Sequence, residues 1–202
     1  TSRRHLADRA AWLADEVAKA TATVHAREQE LLVRMSRAAE FRDPETGAHI
    51  QRIAHLSRLI AAKLGLPQEA QELIFKAAPM HDIGKIGIPD SILLKPGRLT
   101  PEEYAVMKGH AQLGFQLLDG SESKVLQMGA LIAYSHHEKF DGTGYPRGLA
   151  GDAIPICGRI VAVADVFDAL MSERPYKRAW PCEKAFAFLE KGANTHFDGT
   201  CV

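Results

Sequence analysis

The chain of 202 residues carries 25 Lys plus Arg against 25 Asp plus Glu, nine His and 46% hydrophobic residues. Its zero net charge excludes a protein that coats nucleic acid through a global basic field, so no DNA partner is expected. No run of about 18 apolar residues offers a membrane span in this segment, and three scattered Cys at 157, 182 and 201 make no disulfide framework, which fits a reducing, cytoplasmic setting.

The N-terminus shows no signal-peptide pattern and starts inside a helical repeat, as expected of a segment cut from a longer polypeptide. Leu6, Ala10, Leu13, Val17, Ala20, Val24 and Leu31 follow a heptad seam, broken only at Arg27. A helix from about Leu6 to Glu40 would be about 50 Å long. Residues 1–37 are therefore expected to form a projecting linker and dimerisation helix that pairs as a coiled coil with a second copy. The alternative is an amphipathic helix folded back on the domain. Residues 38–202 read as an all-α bundle with no strand and no internal repeat. A turn at 42–47 leads into a helix that Gly65 stops at about Leu64. Pro67 opens the next helix, which runs to about residue 82 and should kink at Pro79, a residue without an N–H. Residues 83–99 form a Gly/Pro-punctuated loop, long enough to act as a lid. Thr100-Pro101-Glu102-Glu103 is a capping box that starts a helix to about Leu118. Further helices are expected over about 123–137, 156–171 and 181–191, with a Gly-rich loop over 138–153.

Polar residues recur on these otherwise apolar helices. Glu45 and His49 are four apart and share a helix face. His81-Asp82 and His136-His137 are adjacent pairs at helix ends, while His110 and Asp165 sit inside apolar helices, where each needs a partner. Taken singly, each reads as a satisfied core or surface residue. Together, five His and three carboxylates spread over five helices match a bundle in which each helix contributes one or two inward ligands to a dinuclear centre. Mixed imidazole and carboxylate donors suit iron, manganese, nickel or zinc. Such a pair of cations can activate water and stabilise a phosphoryl oxygen, and Lys85, one turn beyond Asp82, could contact the same phosphate.

These residues carry a resemblance. His81-Asp82-Ile83-Gly84-Lys85 resembles the HD-x-G-K signature of the HD metal-dependent phosphohydrolases. His136-His137-Glu138 with Asp141-Gly142-Thr143-Gly144-Tyr145-Pro146 is similar to the HHE-xx-DGxGYP signature of the HD-GYP subfamily. Glu45 to His49, Ile88-Pro89-Asp90, Lys95-Pro96-Gly97, Asp165 to Leu170 and Arg174-Pro175-Tyr176 extend the likeness over about residues 38–200. The resemblance implies an HD-domain helical bundle that hydrolyses cyclic di-GMP to pGpG and on to GMP. It implies metal ligands His49, His81, Asp82, His110, His136, His137 and Asp165, with Asp82 bridging, and Glu45 as a ligand where a third metal is held. Two or three divalent transition metal ions are thus expected, Fe or Mn ahead of Ni or Zn. His81, Asp82 and Lys85 carry the catalytic expectation, and Lys85, Tyr145, Arg174 and Lys177 the substrate contacts. It further implies the output domain of a response regulator in bacterial second-messenger, two-component signalling. A receiver or sensor domain would precede this segment, and GGDEF-domain proteins would be docking partners. The competing reading is a catalytically slow cyclic di-GMP-binding or protein-docking module. Phe140 and Gly199 depart from the family pattern without touching a ligand position, and bear only on the stability of the C-terminal edge.

Overall fold

A computed structural model of the chain describes residues 2–40, 47–173 and 178–202, with the side chains of 2–4, 40 and 47 left aside. Residues divide into two compact units, Thr1–Arg34 and Met35–Val202. The first is most of one long helix, α1 (Ser2–Glu40). Its seam residues Leu6, Leu13, Val17, Val24 and Leu31 are solvent-exposed in the single chain.

The second unit is helical, with only isolated bridges and no strand among the described residues. Helix α2 (Gly47–Lys63) packs on α3 (Gln68–Ala77) and on α7 (Ile156–Met171). Helix α5 (Pro101–Leu118) packs on α6 (Lys124–Ala133), which in turn lies against α3 and α7, and α8 (Cys182–Lys191) covers α7. The core lies between these helices. Ile50 and Ile53 of α2, Ile74 of α3, Ile132 of α6 and Ile160 and Val161 of α7 are fully buried. Each such side chain contributes about 1.5–3 kcal/mol of transfer free energy.

Local chemistry sets the ends. Gly65 takes a left-handed φ of 74° where α2 stops, as a glycine can without steric cost. The capping box at Thr100 forms as expected: its hydroxyl accepts from Glu103 N, and the Glu103 carboxylate accepts from Thr100 N at 2.8 Å. Lys95 reaches back to the same Glu103 carboxylate at 2.7 Å, tying the preceding segment to the helix start.

Three segments differ from the sequence expectation. The helix expected to run to 82 ends at Ala77, and Pro79 lies inside a 3-10 turn, Ala78–Met80. The missing N–H of Pro79 does not kink a continuing helix; it tightens the last turn and delivers His81 and Asp82 just beyond it. The 83–99 segment is not an open loop. It contains a 3-10 helix, Ile83–Gly87, and α4 (Asp90–Leu93). Ile83, Gly84 and Ile88 are buried, and a Cβ on Gly84 would stand 2.0 Å from the His110 carbonyl oxygen. The first part of the segment, residues 83–88, is thus seated on α5.

The helix expected over 123–137 ends at Ala133, so His136 and His137 lie in the turn after α6. The C-terminal edge is pinned. Phe197 is buried, and Asp198 accepts from Arg159 at 2.7 Å and from Thr200 N at 2.9 Å. The three cysteines are free thiols, with burial pushing Cys157 up to about 11 and Cys201 up to about 12. No helix among the described residues is long and apolar enough to cross a membrane.

Candidate metal centre

Five segments converge on one cluster. His49 comes from the first turn of α2, His81 and Asp82 from the turn after α3, His110 from the middle of α5, His136 and His137 from the turn after α6, and Asp165 from α7. Their donor atoms fall into two groups, each spanning no more than 4.8 Å: Asp82, His110, His136 and His137 in one, His49, His81 and Asp165 in the other. Asp82 faces both. Its Oδ1 lies 3.2 Å from His110 Nε2 and 3.5 Å from His136 Nε2, while its Oδ2 lies 3.3 Å from His81 Nε2 and 2.8 Å from Lys85 Nζ.

The imidazoles are aimed by their other nitrogen. His81 Nδ1 meets Ala78 O at 3.0 Å, His110 Nδ1 meets Met107 O at 2.7 Å, and His136 Nδ1 meets Ile132 O at 3.1 Å. A carbonyl only accepts, so each Nδ1 carries the proton, and in the neutral imidazole each Nε2 presents a lone pair to the cluster. The result is a set of lone pairs facing a carboxylate. His110 Nε2, His136 Nε2 and Asp82 Oδ1 are buried without a satisfactory hydrogen bond. Leaving such acceptors unmade costs about 1–3 kcal/mol each, and a divalent cation between them would satisfy all three at once. The donor set, imidazole and carboxylate with no thiolate, fits such a cation.

The electrostatics agree. Burial pushes the Asp82 carboxyl up, but Lys85, His81, His110 and His136 together hold it well below the usual carboxylate range. Burial pushes His136 down and His137 well down, with neighbouring imidazoles adding to the shift of His137. An ionised carboxylate beside neutral imidazoles is the protonation state that cation binding requires.

A cleft of about 390 Å³ opens beside the cluster, lined by Asp82, Lys85, His110, His137, Asp165 and Tyr145, with Leu93, Met107, Val166 and Phe188 among its apolar residues. The Tyr145 ring stacks on His137, centroids 4.7 Å apart at 26°. Tyr145 belongs to the Gly-rich loop, which folds back on the histidine turn. Tyr145 N donates to His137 O at 3.1 Å. A Cβ on Gly144 would fall 2.2 Å from Lys139 N, so the close approach requires glycine there.

Of the residues expected from the sequence, His49, His81, Asp82, Lys85, His110, His136, His137, Tyr145 and Asp165 gather at this site. Glu45, Arg174 and Lys177 lie outside the described residues. Two further side chains have no role in the sequence reading. Glu138 is buried and accepts from Arg147 N at 2.8 Å and Leu149 N at 3.0 Å, so one carboxylate holds the Gly-rich loop. Asp168, 3% exposed, accepts from His49 Nδ1 at 2.6 Å and from Arg52 Nη2 at 2.9 Å. Burial raises its pKa, yet these partners outweigh it and hold the carboxyl at about 2. The sequence does carry a signal for Asp168: it lies one turn from Asp165 in the same apolar helix and needs a partner for the same reason.

A bundle that gathers His-Asp pairs and lone imidazoles from five segments around one buried carboxylate defines the HD phosphohydrolase class. Residues 33–201 match the HD domain family, and the chain belongs to it; its HHE and GYP motifs set it in the HD-GYP branch. It is 54% identical over 179 residues to the cyclic di-GMP phosphodiesterase response regulator RpfG of Xanthomonas campestris, covering 89% of this chain and 47% of that protein. It is 54% identical over 161 residues to a cyclic di-GMP phosphodiesterase of Thermotoga maritima, covering 80% and 44%. The chain thus spans about half the length of these curated relatives. Among solved structures, the Vibrio cholerae cyclic GMP-AMP-specific phosphodiesterase V-cGAP3 shares the fold with a TM-score of 0.63 at 19% identity, covering 86% of this chain and 46% of that one.

Proposed function

We propose that this segment is a divalent-metal-dependent phosphodiesterase domain that hydrolyses cyclic di-GMP to pGpG and on to GMP, as the output of a larger signalling regulator. The observation that carries the reading is the buried Asp82 carboxylate, flanked by inward-facing imidazole lone pairs on one side and Lys85 on the other. The names of the two 54% identical relatives support the substrate.

His49, His81, Asp82, His110, His136, His137 and Asp165 would hold the cations, with Glu45 as a further ligand for a third. Iron or manganese is the expected metal, with nickel or zinc also compatible with the donor set. Bound there, the cations supply an activated water and Lewis-acid stabilisation of the phosphoryl oxygens. The protein's residues do the rest. The backbone-held Nδ1–H groups keep His81, His110 and His136 in one tautomer throughout turnover. Lys85 Nζ, anchored on Asp82, stands at the cleft to meet a phosphate oxygen as charge develops. Tyr145 lines the cleft beside its stack on His137 and would contact the cyclic dinucleotide there. Arg174 and Lys177 would complete the anion-binding side, giving local positive charge that the neutral total conceals.

Residues 1–37 are assigned as a linker and dimerisation helix and 38–202 as the phosphohydrolase domain. The exposed seam of α1 supports pairing with a second copy. The same reading places a receiver or sensor domain before Thr1, GGDEF-domain proteins as docking partners and the cytoplasm as the setting.

The test is incubation of metal-loaded protein with cyclic di-GMP, with and without chelator, resolving pGpG and GMP. Cyclic GMP-AMP, named for the V. cholerae structure, is the competitor substrate. Chelator-sensitive product formation is expected. Binding of cyclic di-GMP without turnover by fully loaded protein would replace the enzyme with a docking module.

A further inference from the structure

The four imidazoles whose Nδ1 is engaged are not held alike. His81, His110 and His136 donate to neutral carbonyls within their own segments. His49 donates across the bundle, from α2 to the Asp168 carboxylate on α7. That carboxylate is in turn gripped by Arg52, whose Nε meets Oδ1 and whose Nη2 meets Oδ2 at 2.9 Å and Ser172 Oγ at 2.8 Å. Helix α2 thus carries His49 and Arg52 one turn apart, and α7 carries Asp165 and Asp168 one turn apart. The two pairs interlock into a clamp behind one of the two donor groups.

Two consequences follow from this asymmetry. An imidazole that donates to a carboxylate is a more basic ligand than one that donates to a carbonyl, and its ring orientation is fixed from outside its own helix. Arg52 also keeps both Asp168 oxygens occupied, which holds the carboxylate behind His49 and prevents it from turning inward to become a ligand itself. Nothing comparable backs the Asp82, His110, His136 and His137 group among the described residues. We propose that Asp168, held by Arg52, is a positioning residue that makes the His49, His81 and Asp165 group the tighter of two divalent-cation subsites. This rests on the metal-dependent reading above and adds an order of filling to it.

Calorimetric titration of chelator-stripped protein with Mn²⁺ tests it. Wild type should show two affinity classes. D168N, which keeps the shape and loses the charge, should weaken the tighter class about 10–100-fold and leave the other within about twofold. H110A, which damages the other group, should retain the tight class, and adding D168N should weaken it by the same factor. With Co²⁺ as the probe, the visible bands of the first equivalent should shift in D168N while those of the second stay. A merely structural role would lower the melting temperature without moving those bands. If D168N does not fold, R52K carries the test: a point charge cannot grip both oxygens, so the tight class should weaken several-fold. Equal weakening of both classes, or an unchanged tight class, overturns the inference alone. Wild type that binds no Mn²⁺ or Co²⁺ overturns it together with the phosphodiesterase reading.

Discussion

The histidine cluster and the Tyr145 loop face the same cleft but are fixed by different means. Each backbone-held imidazole is aimed by a carbonyl three or four residues back in its own segment, so local backbone geometry sets its direction. Tyr145 is aimed at second hand. Its loop hangs on one buried carboxylate, Glu138, and on one position, Gly144, that tolerates no side chain. The imidazoles are thus aimed by short local bonds and, at His49, by Asp168, whereas the Tyr145 loop depends on Glu138, Gly144 and backbone bonds such as Tyr145 N to His137 O. On the proposed reading, the chemistry would fall to the cluster and substrate contact to the loop.

Substitutions can break this contrast, the largest effect first. Asp82→Ala should reduce product formation from cyclic di-GMP by more than about 1,000-fold, well beyond the 10–100-fold typical of groups that only support a ligand. Metal content by elemental analysis should fall with it, and retained activity with normal metal would remove Asp82 from the centre. Lys85→Ala should cost about 100–1,000-fold in kcat, the scale of losing one donor to a developing oxyanion. Here KM and metal content should stay within a few-fold, and a pure KM effect would make Lys85 a binding residue only.

The loop residues should behave otherwise. Gly144→Ala forces the loop off Lys139, at a cost of about 1–3 kcal/mol of overpacking. Steady-state kinetics should show KM rising far more than kcat falls, with bound metal unchanged; loss of metal would show that loop and cluster are one unit. Glu138→Gln replaces one of two acceptor oxygens with a donor facing an N–H, a loss of about 1–3 kcal/mol, read as a lower melting temperature and a smaller KM increase.

The smallest effect lies away from the cleft. Burial raises the Asp198 pKa, but Thr200 and Arg159 outweigh it and hold the carboxyl below its usual value. A carboxylate with a depressed folded-state pKa stabilises above its unfolded value of about 3.9 and loses that contribution as pH falls through the folded value. Wild type and Asp198→Asn should therefore differ by a constant melting-temperature gap at neutral pH that closes below about pH 4. A gap that persists in acid would assign the effect to packing.

Much of this is legible in the residues. The helix-end pairs His81-Asp82 and His136-His137, and the lone polar residues His110 and Asp165, point to one interior by their placement along the chain alone. The capping box at Thr100 sets its helix start to the residue. What the sequence hides follows from competition between local and tertiary effects. Pro79 reads as a kink in a helix that continues, yet a 3-10 turn satisfies the same constraint and ends it. The 83–99 segment reads as an open loop because Gly and Pro punctuate it, but its start is helical and Gly84 packs closely on α5. The roles of Asp168 and Glu138 are harder to read, although Asp168 shares an apolar helix with Asp165, because the groups that define those roles lie far along the chain or in the backbone. In all, 119 residues separate Asp168 from His49, and Glu138 serves two backbone N–H groups, which no side-chain pattern records.

The turn at His136, His137 and Glu138 has a consequence for how this site can change. Three consecutive side chains divide between two tasks: His136 and His137 face the cluster, and Glu138 faces the loop. Inserting or deleting a single residue there would shift all three assignments by one place at once. Length variation among relatives should thus be barred from these three positions.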